Sequence, residues 1–267
     1  MSVEALADAN MIESLRAYGR WQQGSELQDS YGMLLLAGAT SFPASFMNAA
    51  IRIDASLAPE PAIELARQFF RQRNRSFTFV TLYNRDAALD ACLEKQDFKL
   101  DSESPCMLVE SPVFVPKLAA GACVVKLIET SQIKDVITIG AAAYVALGLP
   151  AEQAAAAFGN DQALLDDRIA GVIVYLDDQP AAMALTIMSG REAELTAGVY
   201  WVGTVPSARG KGLGELCTAL ATNVGFERGA RIVTLQASPD GEPLYRRMGY
   251  REYNRQRRYR QINKPRD

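Results

Sequence analysis

The residues whose types and spacing could carry chemistry are concentrated in Val199–Gly214, VYWVGTVPSARGKGLG. An apolar run of strand type passes Pro206 and ends in Arg209-Gly210-Lys211-Gly212-Leu213-Gly214. Leu213, Leu216, Cys217, Leu220 and Val224 then recur at helical spacing. The segment reads as strand, glycine turn and helix start. Glycines permit the sharp turn and leave amide N–H groups uncovered, and a helix N-terminus adds partial positive charge. Such a turn can seat a phosphate or a diphosphate, the alternative being a glycine-rich connection that binds nothing. Lys211 is followed by Gly212 rather than Ser or Thr, so this is not a Walker loop. The third glycine of a dinucleotide fingerprint would fall on Glu215 or Cys217, so it is not that either.

The rest of the composition narrows the chemistry by exclusion. The chain of 267 residues contains no histidine. The commonest general base, the commonest zinc ligand and every Ser-His triad are therefore absent. Cys92, Cys106, Cys123 and Cys217 lack CxxC spacing and read as buried thiols, with no metal site expected. A net charge of −3 gives no electrostatic case for nucleic acid or an anionic membrane. No apolar run is long enough to span a bilayer, and Met1–Asn10 carries acidic residues and no basic ones, which predicts a cytoplasmic protein. Self-association is left open.

The elements that must position the turn follow from periodicity. Helices are expected at Val3–Gln22, Pro59–Arg73, Asp86–Gln96, Gln132–Leu147, Ala151–Phe158, Asp161–Leu165, Leu213–Arg228 and Glu242–Met248. Strands are expected at Tyr31–Ala37, Asn48–Asp54, Ser76–Tyr83, Pro105–Glu110, Val124–Ile128, Ile169–Leu176, Ala181–Met188, Ala197–Thr204, Arg231–Gln236 and Tyr250–Tyr259. Asp177–Pro180 reads as a hairpin connection. Ser111–Ala122, with Pro112, Pro116 and Gly121, reads as a linker, dividing the chain into 1–110 and 123–267. The basic run Arg251–Arg260 alternates with Tyr253 and Tyr259 and reads as a solvated sheet edge.

Arg-x-x-Gly-x-Gly after an apolar strand and a proline resembles the pyrophosphate-binding motif of the GNAT superfamily of acyl-CoA-dependent N-acetyltransferases. Leu244-Tyr245-Arg246-Arg247-Met248-Gly249-Tyr250 resembles the same family's signature on its last helix. The order of elements over roughly residues 123–260 is similar to the GNAT fold from end to end. The fold class this implies is α+β, a mixed and mostly antiparallel sheet flanked by helices. An echo of the second half appears in the first. Phe77–Leu82 resembles Arg231–Leu235, and Leu93–Phe98 resembles Tyr245–Tyr250 at an offset of 152 residues. The chain thus reads as two related halves, a complete GNAT domain preceded by a degenerate copy. At that offset the Arg209–Gly214 loop maps onto Leu57–Ala62, where Pro59 and Pro61 remove donors and Glu60 would repel a diphosphate. The first half is therefore expected not to bind CoA.

The resemblance implies acetyl transfer from acetyl-CoA to the amine of a small molecule or peptide, by direct attack in a ternary complex. It also implies roles for particular residues. The backbone of Val202, Gly203 and Thr204 would pair with the pantetheine arm. The N–H groups of Arg209, Gly210, Lys211, Gly212, Leu213, Gly214 and Glu215 would hold the diphosphate. Tyr245 would protonate the leaving thiolate, since a tyrosine of pKa about 10 keeps its proton at neutral pH. Ser238 stands where the family often has asparagine. It either caps the last helix, with Pro239 at the first helical position, or precedes a helix begun at Gly241. Gly198 stands where some relatives carry a glutamate base, which leaves the base unidentified. Tyr200 and Trp201 read as core residues, with an aromatic wall for the acceptor as the alternative. A CoA-binding module without turnover is the competing class.

Overall fold

A computed structural model describes residues 1–145 and 148–261. The helices are α1 (Val3–Trp21), α2 (Pro59–Gln72), α3 (Ala87–Lys95), α4 (Ile133–Tyr144), α5 (Ala151–Ala156), α6 (Asp161–Leu164), α7 (Leu213–Glu227) and α8 (Glu242–Arg247). The strands are β1 (Glu26–Ser30), β2 (Met33–Ala37), β3 (Asn48–Arg52), β4 (Thr78–Leu82), β5 (Phe98–Val109), β6 (Ala122–Leu127), β7 (Ile169–Leu176), β8 (Gln179–Ser189), β9 (Thr196–Thr204), β10 (Val233–Gln236) and β11 (Arg251–Gln261). The expected end of the fourth helix at Leu147 lies outside the described residues.

All of these strands join one sheet in the order β1-β2-β3-β4-β11-β5-β10-β9-β8-β7-β6. The pairs β3·β4 and β9·β10 are parallel, and the others are antiparallel. The order exposes a reciprocal exchange. β11, the last strand of the second half, lies between β4 and β5 of the first. β5, the last strand of the first half, lies between β11 and β10. The sequence of elements β1-β2-β3-α2-β4-α3-β5 is repeated as β7-β8-β9-α7-β10-α8-β11. The echo between the halves is thus carried by topology as well as by residues. Residues 111–121 connect the halves without regular structure, although Val113 is pinned to α7 by two hydrogen bonds with Asn223. The sheet runs on across that connection.

Helices cover both faces of the second half, so β8 is buried almost throughout and is apolar without alternation. On one face, α1 and α4 pack Ala17, Trp21, Ile133, Val136 and Ile139 against Ile173, Met183, Leu185 and Trp201. On the other, α7 packs Leu213, Leu216 and Cys217 against Val174, Ala184 and Val199. In the first half, α2 and α3 bury Ile63, Phe69, Phe70, Leu89 and Leu93 against Phe77, Phe79 and Phe98. α2 carries Pro59 and Glu60 in its first turn, as its sequence predicts. The β7–β8 turn has Asp177 and Asp178 at φ 50° and 59°, the left-handed pair that a tight hairpin requires.

Four expectations are corrected. Cys123, on β6, is an exposed thiol rather than a buried one. β1 is a strand that periodicity did not show. β5 begins at Phe98 rather than Pro105. β11 is no solvated edge: it lies inside the sheet with Asn254, Gln256 and Tyr259 buried. Its arginines are matched across strands by carboxylates on β5 and α3, as in Arg255–Glu103 (2.9 Å), Arg257–Glu103 (2.6 Å) and Arg257–Asp90 (2.9 Å).

Candidate functional site

β9 and β10 are in register over only two residue pairs, Ala197↔Val233 and Gly198↔Thr234. Beyond Gly198, β9 runs on to Thr204 with no strand beside it on that flank, and the sheet opens. The opening coincides with a bulge against β8, where the register shifts between Met183 and Leu185. Trp201 sits in that bulge with φ 52°. A bulky residue held in the left-handed region costs about 1–3 kcal/mol and persists only where packing over-determines it. Here Phe46, Tyr144 and Phe158 hold the indole edge-on at 5.2, 5.1 and 4.6 Å between centroids.

The glycine turn closes one side of the opening. Gly210 and Gly212 have φ 77° and 74°, and a Cβ on either would meet nothing within 4 Å. The turn therefore presents bare backbone to solvent. Gly212 caps α7 without any side-chain hydrogen bond. Among the described residues the first amide after the turn with a backbone acceptor is Leu216, bonded to Gly212 O at 3.0 Å. The N–H groups of Gly210, Lys211, Gly212, Leu213, Gly214 and Glu215 have no such acceptor. Six free donors at the start of a 15-residue helix form an anion seat. Lys211 is exposed beside it.

Arg209 takes another position than a free counter-charge. Its guanidinium donates to Ala143 O (3.1 Å) and Thr204 O (3.4 Å), tying the turn to the end of α4 and to β9. Val202 O accepts from the Tyr144 hydroxyl at 2.9 Å. Of the three residues expected to pair with a pantetheine arm, Val202 and Thr204 thus already have side chains on their carbonyls. Gly203 lies under α4, where a Cβ would come within 3.0 Å of Ala143 Cβ. Ser238 belongs to the turn before α8. Its hydroxyl accepts from Gly241 N at 3.1 Å, and α8 starts at Glu242 with Gly241 as its cap. Pro243 falls in the first turn, where it is tolerated.

Tyr245 on α8 is buried, and that burial pushes its pKa up to about 12, with the Thr218 hydroxyl pulling the other way. The phenol keeps its proton throughout the physiological range. It lines a cavity of about 250 Å³ with Ser238, Val202, Trp201 and Gln236 from the second half. The first half contributes Ser14, Leu15 and Tyr18 of α1, with Ser45 and Phe46; β11 adds Gln256 and Arg258. The cavity thus lies between the halves, and among the described residues no Asp, Glu or Lys lines it. Sequence reasoning missed every one of the first-half and β11 residues, because none stands in a motif. Tyr200 and Trp201 are core residues that also line this cavity.

The position of a missing base has a structural cause. A Cβ at Gly198 would collide with Asn10 Oδ1 and the Tyr200 ring. Asn10, on α1, donates to Ile187 O (3.0 Å) and Ser189 Oγ (2.8 Å), and accepts from the Tyr200 hydroxyl at 2.7 Å. The first half has filled the space a glutamate would need. Gly198→Ala is expected to destabilise by about 1–3 kcal/mol through overpacking, lowering Tm by roughly 2–10 °C in a thermal melt. An unchanged melt would contradict this packing.

In the first half the corresponding seat is absent. α2 starts after Ala58 with no side-chain cap and with prolines in its first turn. β3 has only five residues, and Leu93, the counterpart of Tyr245, is wholly buried. Among the described residues no group of His, Cys, Asp and Glu could hold a metal ion, and no helix is long and apolar enough to cross a membrane.

Residues 141–250 match the model of the acetyltransferase (GNAT) family. A search of curated proteins found no significant match. Among solved structures, the chain is similar to a GCN5-related N-acetyltransferase from Kribbella flavida, with TM-score 0.73, 21% identity, and 99% and 97% of the two chains covered. It is similar to a tandem GNAT protein from the clavulanic acid biosynthesis pathway, with TM-score 0.65, 15% identity, and 97% and 89% covered. A GCN5-related N-acetyltransferase from Sphaerobacter thermophilus aligns with TM-score 0.58 and 13% identity over 96% and 93%. The fold of the whole chain is that of these proteins, two GNAT-like halves in tandem.

Proposed function

From the premise that residues 141–250 are a domain of the acetyltransferase (GNAT) family, we propose that this protein transfers an acetyl group from acetyl-CoA to a primary amine, by direct attack with both substrates bound. The observation that carries the reading is the run of six unpaired amides, Gly210–Glu215, beside an opened sheet that leads to a buried tyrosine. The donor set fits the diphosphate of CoA: backbone N–H groups, a helix N-terminus and exposed Lys211. An extended arm lying along β9 at Val202–Thr204 would share the Val202 and Thr204 carbonyls with the side chains of Tyr144 and Arg209. The thioester supplies an activated acyl group and a thiolate leaving group.

The chain's own residues then have separable roles. The seat and the open strand fix the reacting carbon, and holding two reactants in register is worth effective molarities of about 10⁵ M or more. The cavity between the halves admits the amine and excludes bulk water. As the C–N bond forms and the C–S bond breaks, Tyr245 gives its proton to the departing sulfur and its phenolate takes up the proton the attacking nitrogen sheds. No residue lining the cavity is a carboxylate or an imidazole to take the amine's proton. The amine therefore reacts from its own neutral fraction. The expected kcat/KM rises about tenfold per pH unit until the amine's own pKa, about 8 for an α-amino group and 10 for an alkylamine. Tyr245, protonated to about pH 12, adds no falling limb below that. A plateau already at pH 7 would reveal a base elsewhere.

Function is tested by supplying acetyl-CoA with a panel of amines and recording thiol release. Amine-dependent release supports the reading. Tight CoA binding with no release from any amine supports instead a binding module without turnover.

A further inference from the structure

β11 carries five arginines, and four are answered by carboxylates. Arg251 pairs with Glu110 at 2.9 Å, Arg255 with Glu103 at 2.9 Å, Arg257 with Asp90 at 2.9 Å and Arg260 with Asp101 at 3.4 Å. Arg258 has no carboxylate partner among the described residues. Its Nη1 donates to Ser104 Oγ (3.0 Å) and Ser102 Oγ (3.4 Å), and its Nη2 donates to Gln256 Oε1 (2.5 Å). Asp101, which acts on it from a distance, is engaged by Arg260. Yet Arg258 is half-buried, and that burial works against its charge. A guanidinium removed from water and paired only with neutral oxygens costs free energy that an anion would recover.

Arg258 faces the cavity between the halves. Gln236, at the end of β10, also lines it. Its amide nitrogen has no hydrogen-bond partner but is closed off from the cavity space, so only a turn of the side chain would bring it to a ligand. Arg258 is cationic, and among the described residues no acidic side chain lines the cavity. The remaining walls combine the rings of Tyr18, Phe46, Tyr144 and Trp201 with serine hydroxyls and aliphatic side chains. The volume of about 250 Å³ falls just below the roughly 300–1,000 Å³ of sites for drug-sized ligands.

We propose that the acceptor is a small amino carboxylate, its carboxylate bound by Arg258 and its amine turned towards Tyr245. The proposal rests on the acetyltransferase reading of the same cavity and adds the class of acceptor. It also explains what the first half and the exchanged strand contribute. α1 and β11 select the acceptor while the second half binds the acyl donor. A polyamine or cationic antibiotic is excluded by the same charge.

Matched pairs that differ only in the carboxylate test this without any mutation. L-Phenylalanine is compared with phenethylamine, and β-alanine with ethylamine. For each, binding is measured by calorimetry without acyl-CoA, and kcat/KM by thiol release with acetyl-CoA. Wild-type protein is expected to favour the carboxylate member of at least one pair by about 10- to 100-fold, the range of a charge-assisted hydrogen-bonded pair. Arg258→Gln should collapse that ratio towards one, chiefly through KM, and Arg258→Lys should restore part of it. A thermal melt confirms that each variant is folded. Carboxylate-dependent binding that is lost in Arg258→Gln but brings no thiol release from any amine supports an amino-carboxylate ligand at Arg258 and overturns both the transfer reading and its role as acceptor. Thiol release from both members alike, with the ratio unmoved by Arg258→Gln, overturns the acceptor class and leaves transfer standing.

Discussion

Gly212→Glu is expected to weaken CoA binding by about 100-fold or more while leaving the protein folded. Two effects add. Gly212 sits at φ 74°, where a residue with a Cβ costs about 1–2 kcal/mol. The new carboxylate would stand at the mouth of the amide seat, where a like charge some 5 Å from a phosphate costs up to about 3 kcal/mol at an effective dielectric of 20. Each 1.4 kcal/mol is a factor of ten in Kd. A Cβ at Gly212 meets no neighbour within 4 Å, so the penalty falls on the turn and its ligand rather than on the core. Gly212→Ala separates the two contributions, since it keeps the strain and omits the charge. Calorimetric titration with CoA checks both variants. Equal affinity in wild type and Gly212→Glu would remove the diphosphate from this turn.

Tyr245→Phe is expected to lower kcat by about 100- to 1,000-fold with little change in the Kd for CoA, the range for loss of a positioned general acid. The geometry supports a clean separation. Phenylalanine keeps the ring that packs against Tyr250 at 6.1 Å and removes only the hydroxyl, whose neighbour is Thr218. A loss of CoA affinity with unchanged kcat would make Tyr245 a cofactor contact instead of an acid. The expected defect should shrink with thioesters whose thiols are more acidic, because a better leaving group needs less protonation.

The parts of this site that lie close together in sequence were legible there. The glycine turn, the strand before it and the helix after it occupy one continuous stretch, Val199–Glu227, and their residue types dictate the conformation. The Asp177-Asp178 turn and the proline-led start of α2 were legible for the same local reason. What stayed hidden depends on pairing across long separations. β5 carries Lys99, Asp101, Glu103 and Pro105, which argue against a central strand until Arg255, Arg257 and Arg260 are placed opposite them. β11 looked like a solvated edge because those partners lie some 150 residues away. The same exchange brings Arg258 to the cavity. Its signal in the sequence is nil, since it is one arginine in a run of five. Its meaning comes from the carboxylate it lacks. Gly198 was legible as an absent glutamate, but the reason, Asn10 wedged against Tyr200, required α1 to cross onto the second half's sheet.

If the unpaired amides of Gly210–Glu215 hold the diphosphate of an acyl carrier, residue-resolved amide hydrogen exchange will register it, with acetyl-CoA and S-acetyl-pantetheine as the two ligands. Strong new protection is expected across residues 210–215 with acetyl-CoA and little with acetyl-pantetheine, which lacks the diphosphate, while residues 57–62 do not change with either. Protection that appears at residues 57–62, or binding of acetyl-CoA that leaves residues 210–215 exchanging as freely as before, would contradict it.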